Sequence, residues 1–171
     1  ASYGMAECTL AISFAPLDKG LAIDRIDAEA LTEKGIAVAV DENDRCRQTK
    51  ELVFCGPPLP GHEIEIRDEQ GRALPERHCG VLHVRGPSVM TGYLGDPEAT
   101  REVLSPEGWL NTGDLAYLAE NQVVITGRVK DMIIINGRNI WPQDLEFLAE
   151  QMPGIRARDA AAFSISGNGD E

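Results

Sequence analysis

Positive charge is scarce in this chain. Its 171 residues carry 16 Lys and Arg against 28 Asp and Glu, a formal net charge of -12. That balance argues against a nucleic-acid backbone or an anionic membrane as the main partner, because both call for a cationic surface. It leaves room for a nucleotide, whose site needs only local positive charge and oriented N–H groups. No apolar run is long enough to span a bilayer, and no basic stretch precedes an apolar one at the N-terminus. Neither a membrane span nor a signal peptide is therefore read. Cysteine is sparse as well. Cys8, Cys46, Cys55 and Cys79 are scattered without a Cys-x-x-Cys pair, which argues against a zinc site made from them. Reduced, mostly buried thiols in a cytoplasmic protein are expected instead. His62, His78 and His83 show no metal-ligand spacing and are read as structural.

What is present suffices for a core. The chain is 43% hydrophobic and 26% charged, with the length of one domain or one and a fraction. Apolar spacing over residues 26–33 predicts a short helix with Asp27 at its start, followed by a strand over 36–40. Residues 41–50 read as a polar turn. A strand is expected over 51–56, ended by Pro57, Pro58, Pro60 and Gly61. Strict alternation over 62–68 should turn Ile64 and Ile66 to a core. Another strand is expected over 81–84. Short strands at this spacing predict a small antiparallel barrel or sandwich. Asp96 then Pro97 reads as the N-cap and first position of a helix over 96–104. Later, a helix begins near Pro142 with an apolar stripe of Leu145, Leu148 and Met152, and a strand follows over 160–165.

The chemistry concentrates in two stretches. Thr112-Gly113-Asp114 reads as a turn that puts a carboxylate at the mouth of a strand. Beyond it, Gly127-Arg128-Val129-Lys130-Asp131 lies between apolar strands at 123–125 and 132–135. A carboxylate accepting two hydroxyl hydrogens, with an arginine nearby, suits a ribose phosphate. The plainer alternative is a β-meander with a solvated Asp and Arg at its turns.

The order of these pieces resembles the adenylate-forming superfamily of acyl-CoA synthetases, adenylation domains, luciferases and fatty acyl-AMP ligases. Tyr3-Gly4-Met5-Ala6-Glu7 is similar to its Tyr-Gly-x-x-Glu segment. Gly80-Val81-Leu82-His83-Val84-Arg85-Gly86 through Gly92-Tyr93-Leu94 is similar to its Gly-Glu-(Ile/Leu)…Gly…Gly-Tyr segment. Gly127 to Ile134 and Gly137-Arg138-Asn139-Ile140-Trp141-Pro142-Gln143-Asp144 most resemble the fatty acyl-AMP ligases. The resemblance implies roles. Tyr3, with Gly4 and Met5 in its segment, lies by the adenine. Glu7 reaches Mg²⁺ on the ATP phosphates, a hard oxygen donor for a hard cation. Asp114 and Arg128 take the ribose phosphate. Lys130 is the hinge between a large and a small domain, where backbone dihedrals must change in a solvated place. An exposed carboxylate near a helix start is the alternative for Glu7, and an exposed turn lysine for Lys130.

The expected fold is mixed and β-rich: a distorted antiparallel β-barrel subdomain, then the start of a small α+β C-terminal domain. Residues 1–129 would end the large domain, and 130–171 would begin the small one. The family's Ser/Thr/Gly-rich phosphate loop and its C-terminal lysine are not found. The chain, which opens without Met, is therefore read as an internal fragment, inactive alone. At full length the resemblance implies ATP-dependent activation of a fatty or other carboxylic acid, with transfer to an acyl carrier protein thiol. The stretch 14–50 sits where fatty acyl-AMP ligases carry an extra segment that hinders transfer to CoA; an ordinary surface excursion is its alternative. An acyl-CoA ligase, an amino-acid adenylation domain and a non-catalytic β-rich interaction module remain rival readings.

Overall fold

The computed structural model describes residues 1–41, 48–135 and 138–165. Cys46, most of the expected 41–50 turn and the Asn136-Gly137 part of the second motif lie outside the described residues. The chain divides into two compact units, Ala1–Thr126 and Gly127–Glu171.

The first unit opens with β1 (Ser2–Tyr3), a 3-10 turn (Ala6–Cys8) and β2 (Ser13–Phe14), which pairs back onto β1. β3 (Ile23–Asp27) follows and leads directly into α1 (Ala28–Lys34). Asp27 caps that helix, accepting the Ala30 N–H at 3.0 Å. Ile26 belongs to the strand and is fully buried there, so the helix starts later than its apolar spacing predicts. The expected strand at 36–40 is reduced to two isolated bridges, Ile36 to His78 and Ile26 to Ala39. β4 (Thr49–Val53) pairs along one edge of β3; at the other edge residues 36–40 divide their backbone bonds, Val38 and Val40 to β3 and Ala37 to Arg77, so no continuous ladder forms.

The main sheet is four-stranded and antiparallel, in the order β5 (Glu63–Arg67), β6 (Gly80–Arg85), β7 (Leu110–Ala119), β8 (Gln122–Arg128). Ile64 faces Val84 and Ile66 faces Leu82, so one side of the β5–β6 ladder is apolar, as the alternation predicts. Glu63 opposite Arg85 marks the other side, where Trp109 lies between two guanidinium groups. The Arg67 and Arg85 guanidinium carbons each stand 4.7 Å from the Trp109 ring centre. β7 and β8 are joined by Glu120 and Asn121, both at positive φ, the form a two-residue hairpin requires. Beyond β8, Val123 exchanges backbone hydrogen bonds with Cys55 and Gly56.

The mixed, β-rich class is as expected, but the described strands stay open and do not close into a barrel. The link from β4 to β5 contains Pro57, Pro58 and Pro60, which have no N–H to donate to a ladder. The β3–β4 layer is instead pinned to the sheet by a polar knot. Buried Asp24 accepts from the Tyr117 hydroxyl at 2.7 Å and from Arg77 Nη1 at 3.1 Å. Arg77, at φ 63°, also donates its N–H to Leu118 O and accepts from Ala37 N–H. These bonds hold a backbone conformation that is unfavourable for a non-glycine residue. Burial, then the bond to Asp24, raises the Tyr117 phenol above its ordinary value.

α2 (Pro97–Val103) is capped by Asp96, which accepts the Ala99 N–H at 2.9 Å, as predicted. The second unit comprises a 3-10 turn (Val129–Asp131), β9 (Ile133–Ile135) paired with β10 (Arg138–Ile140), and α3 (Pro142–Glu150). Trp141 is buried against Gly127, where an added Cβ would lie 2.9 Å from its ring. The expected stripe on α3 is exposed, Leu145 at 40%, Leu148 at 64% and Met152 at 62%. Residues 160–165 form no strand. Among the described residues of this unit no strand pairs with them; the Ala162 N–H donates instead to the Glu146 carboxylate at 3.0 Å.

Candidate nucleotide site

The site begins at the first turn of the chain. Tyr3 ends β1 opposite Ser13, and its carbonyl accepts the Ile12 N–H at 2.9 Å. Between them the chain folds back so closely that a Cβ on Gly4 would lie 1.7 Å from Leu10 O. Only glycine permits that approach. Met5 then caps the 3-10 turn that carries Glu7. The turn is anchored from below: Cys8 and Ile12 are part of the buried core with Ile66, Leu82, Val84, Leu110, Ala116 and Val123. Burial pushes the Cys8 thiol up to about 11, with the Glu7 charge adding to the effect, so it is a packed thiol at neutral pH. Burying the two apolar side chains gains a few kcal/mol, on the order of 1.5–3 for the isoleucine. This holds a polar turn against the sheet.

The sheet supplies the partner. Thr112-Gly113-Asp114 is not a turn before a strand; it is a bulge inside β7. On β6, Val81 and His83 flank one residue, while their partners Leu115 and Asn111 flank three. Gly113 takes φ 72° in the bulge. Thr112 Oγ1 donates to Leu82 O at 2.9 Å and accepts the Asp114 N–H at 3.1 Å. Asn111 Oδ1 accepts the Gly113 N–H. A bulge redirects side chains, and here it aims Asp114 at Tyr3. The Tyr3 hydroxyl donates to Asp114 Oδ2 at 2.6 Å. Burial first, then this bond, raises the Tyr3 phenol well above its ordinary value, so it stays a donor.

Tyr3 and Asp114, 111 residues apart, are thus in direct contact. A carboxylate has about four lone-pair positions, so the phenol on Oδ2 is compatible with two hydroxyl donors as further partners. Glu7, half-buried on its turn, accepts from the Tyr93 hydroxyl at 2.9 Å. Among the described residues, no three His, Cys, Asp or Glu side chains form a metal cage. A single carboxylate fits Mg²⁺ held mainly by water and phosphate oxygens. Arg128 ends β8 and Lys130 lies in the following 3-10 turn; both are exposed and belong to the second unit. Thr112, Asn111 and Tyr93 support the site without having been given roles from sequence. Thr112 and Tyr93 each lay inside a motif segment, Thr112-Gly113-Asp114 and Gly92-Tyr93-Leu94.

Known proteins share this sequence and fold. The AMP-binding enzyme family matches residues 1–94. A protein of Caulobacter vibrioides, provisionally named an acyl-CoA synthetase, is 49% identical over 96% of this chain and 29% of its own length. The medium-chain-fatty-acid–[acyl-carrier-protein] ligase JamA of Moorena producens is 35% identical over 99% of this chain and 30% of its own. A solved structure from a study of fatty acyl-adenylate ligases of E. coli and L. pneumophila superposes with TM-score 0.86 at 46% identity. It covers 95% of this chain and 29% of that one. The chain therefore spans under a third of the length of these relatives. With its Tyr-Gly-x-x-Glu turn joined to the Thr-Gly-Asp carboxylate, the chain belongs to the family of AMP-binding, adenylate-forming enzymes.

Proposed function

We propose that a protein of the relatives' full length carrying this segment is an AMP-forming ligase that activates a fatty acid. A carboxylate oxygen of the acid attacks the α-phosphorus of ATP, giving acyl-AMP and pyrophosphate. The pantetheine thiol of an acyl carrier protein then attacks the acyl carbon, forming a thioester and releasing AMP. The observation that carries this reading is the 2.6 Å bond between Tyr3 and Asp114. It joins the two motif segments into one nucleotide-facing surface in which a phenol and a carboxylate hold each other in place.

In this reading Asp114 accepts the ribose hydroxyls, and the Tyr3 ring, tethered through its hydroxyl, lies by the adenine with Gly4 and Met5. Glu7 would hold Mg²⁺, which when bound neutralises charge on the phosphates. The residues here orient and neutralise, which is where most of the rate gain for such a transfer arises. Arg128 would serve the ribose phosphate, and Lys130 the movement between the two half-reactions. Fatty acid and carrier protein as partners are supported by the 46% identity to a fatty acyl-adenylate ligase and by the carrier-protein ligase among the relatives.

Transfer to CoA is the second reading, favoured by the name of the Caulobacter relative. The experiment supplies the full-length enzyme with fatty acid, ATP and either CoA or a pantetheinylated carrier protein. Acylated carrier with little acyl-CoA is expected. Efficient acyl-CoA formation at ordinary CoA concentrations moves the protein to the second reading.

A further inference from the structure

Glu7 is held at both its backbone and its side chain by one loop. The Met90 N–H donates to Glu7 O at 2.7 Å, and the Tyr93 hydroxyl donates to Glu7 Oε1 at 2.9 Å. That loop is itself braced by α2. The Tyr93 N–H donates to Thr100 Oγ1 at 2.9 Å, and the same hydroxyl donates to Asp96 O at 2.8 Å. The Asp96 N–H closes the ring by donating to Tyr93 O at 3.3 Å. Gly92 passes against Thr100, where a Cβ would stand 3.0 Å from Cγ2. The phenol is therefore mounted on a bonded frame and reaches across 86 residues of sequence to a single carboxylate oxygen.

We propose that Tyr93 is a positioning residue for the metal-binding carboxylate: its hydroxyl pins Oε1 of Glu7 and leaves Oε2 for the cation on the ATP phosphates. The inference rests on Glu7 as the Mg²⁺ ligand. Mg²⁺ demands near-octahedral geometry and gives up water reluctantly. One protein carboxylate meeting it must therefore be held in one rotamer, and a glutamate on a three-residue turn has three side-chain torsions to settle. Hydrogen bonds behind a metal ligand perform this role generally, and their loss costs roughly 10–100-fold in metal affinity.

The test is Mn²⁺ affinity, read by electron paramagnetic resonance, of the full-length enzyme saturated with the unreactive analogue α,β-methylene-ATP. Tyr93→Phe keeps the ring and removes only the hydroxyl; it should weaken Mn²⁺ binding about tenfold. Its KM for Mg²⁺ should rise while kcat at saturating Mg²⁺ holds. Glu7→Gln should weaken binding at least as much, and the double variant no further than Glu7→Gln alone. Wild-type Mn²⁺ affinity in Tyr93→Phe, with Glu7→Gln impaired, overturns this inference and leaves the Glu7 assignment standing. Wild-type affinity in Glu7→Gln overturns that assignment and this inference with it. If Tyr93→Phe melts early, Thr100→Val loosens the frame instead. A smaller loss of Mn²⁺ affinity supports the proposal, and none overturns it.

Discussion

In the first unit Leu82, Val84, Leu110 and Val123 are exposed by 1% or less; in the second, Phe147, Leu148, Met152 and Phe163 are all above 60%. The first set lies in strands; of the second, Phe147 and Leu148 lie in α3 and Met152 and Phe163 in the segment after it. The difference is what faces them. β5 to β8 present an apolar side to Cys8 and Ile12 on the opening turn. The described residues of the unit that holds α3 supply, besides that helix, one two-stranded ladder and a 3-10 turn. An amphipathic pattern thus states which side of an element is available for burial, and a second layer decides whether burial happens. The proposed nucleotide-side residues Tyr3, Glu7 and Asp114 sit in the unit with a closed core. Lys130, the proposed hinge, sits in the unit that shows none among its described residues, as a segment that moves would.

The sharpest way to break this contrast is Gly4→Ala. With Leu10 O at 1.7 Å from the new Cβ, the opening turn must be displaced. A loss of about 4 kcal/mol or more is expected, together with loss of ATP binding. A wild-type thermal melt would show that the turn is not wedged as described.

Next come matched leucines. In urea unfolding, Leu82→Ala should cost roughly 2–5 kcal/mol, whereas Leu148→Ala should stay within about 0.5 kcal/mol. Similar midpoints for both would dissolve the distinction between the units.

Asp114→Ala, in the full-length enzyme, should weaken ATP binding by roughly 1.5–3 kcal/mol, the scale of hydrogen bonds to a charged group. Calorimetric titration with unchanged affinity would remove Asp114 from the ribose.

The smallest expected effect belongs to the second unit. Lys130→Pro fixes φ and removes a donor in the 3-10 turn. It should slow thiol transfer relative to acyl-AMP formation about tenfold, or ~1.4 kcal/mol. Equal loss in both half-reactions, measured by single-turnover kinetics, contradicts a hinge at Lys130.

Local chemistry was readable directly. Asp27 and Asp96 each cap a helix through an N–H three residues on, an interaction contained within one turn of chain. The alternation around Ile64 and Ile66 gave the facing of β5 because side-chain period follows from the pleat itself. Strand 36–40 failed because its backbone bonds are divided between β3 and the distant Arg77. Strand 160–165 failed for want of a partner strand among the described residues. Thr112-Gly113-Asp114 carries the residues of a turn; that it is a bulge depends on Leu82 O in the neighbouring strand. The same reason hid the knot of Asp24, Arg77 and Tyr117, whose members are 53 and 93 residues from Asp24.

The sequence by itself therefore determined the ordered motifs and the family they belong to. It also determined the caps, the alternation, the proline break and the acidic charge balance, since each is a property of a few adjacent residues or of composition. Only the tertiary structure decided that Tyr3 bonds Asp114, that Tyr93 bonds Glu7, and that the stripe of α3 stays exposed. The two bonds require distant segments to meet at about 3 Å, and the stripe stays exposed because no described segment covers it. Such meetings are set by which apolar sides pack together, with loop closure and burial acting over the whole chain.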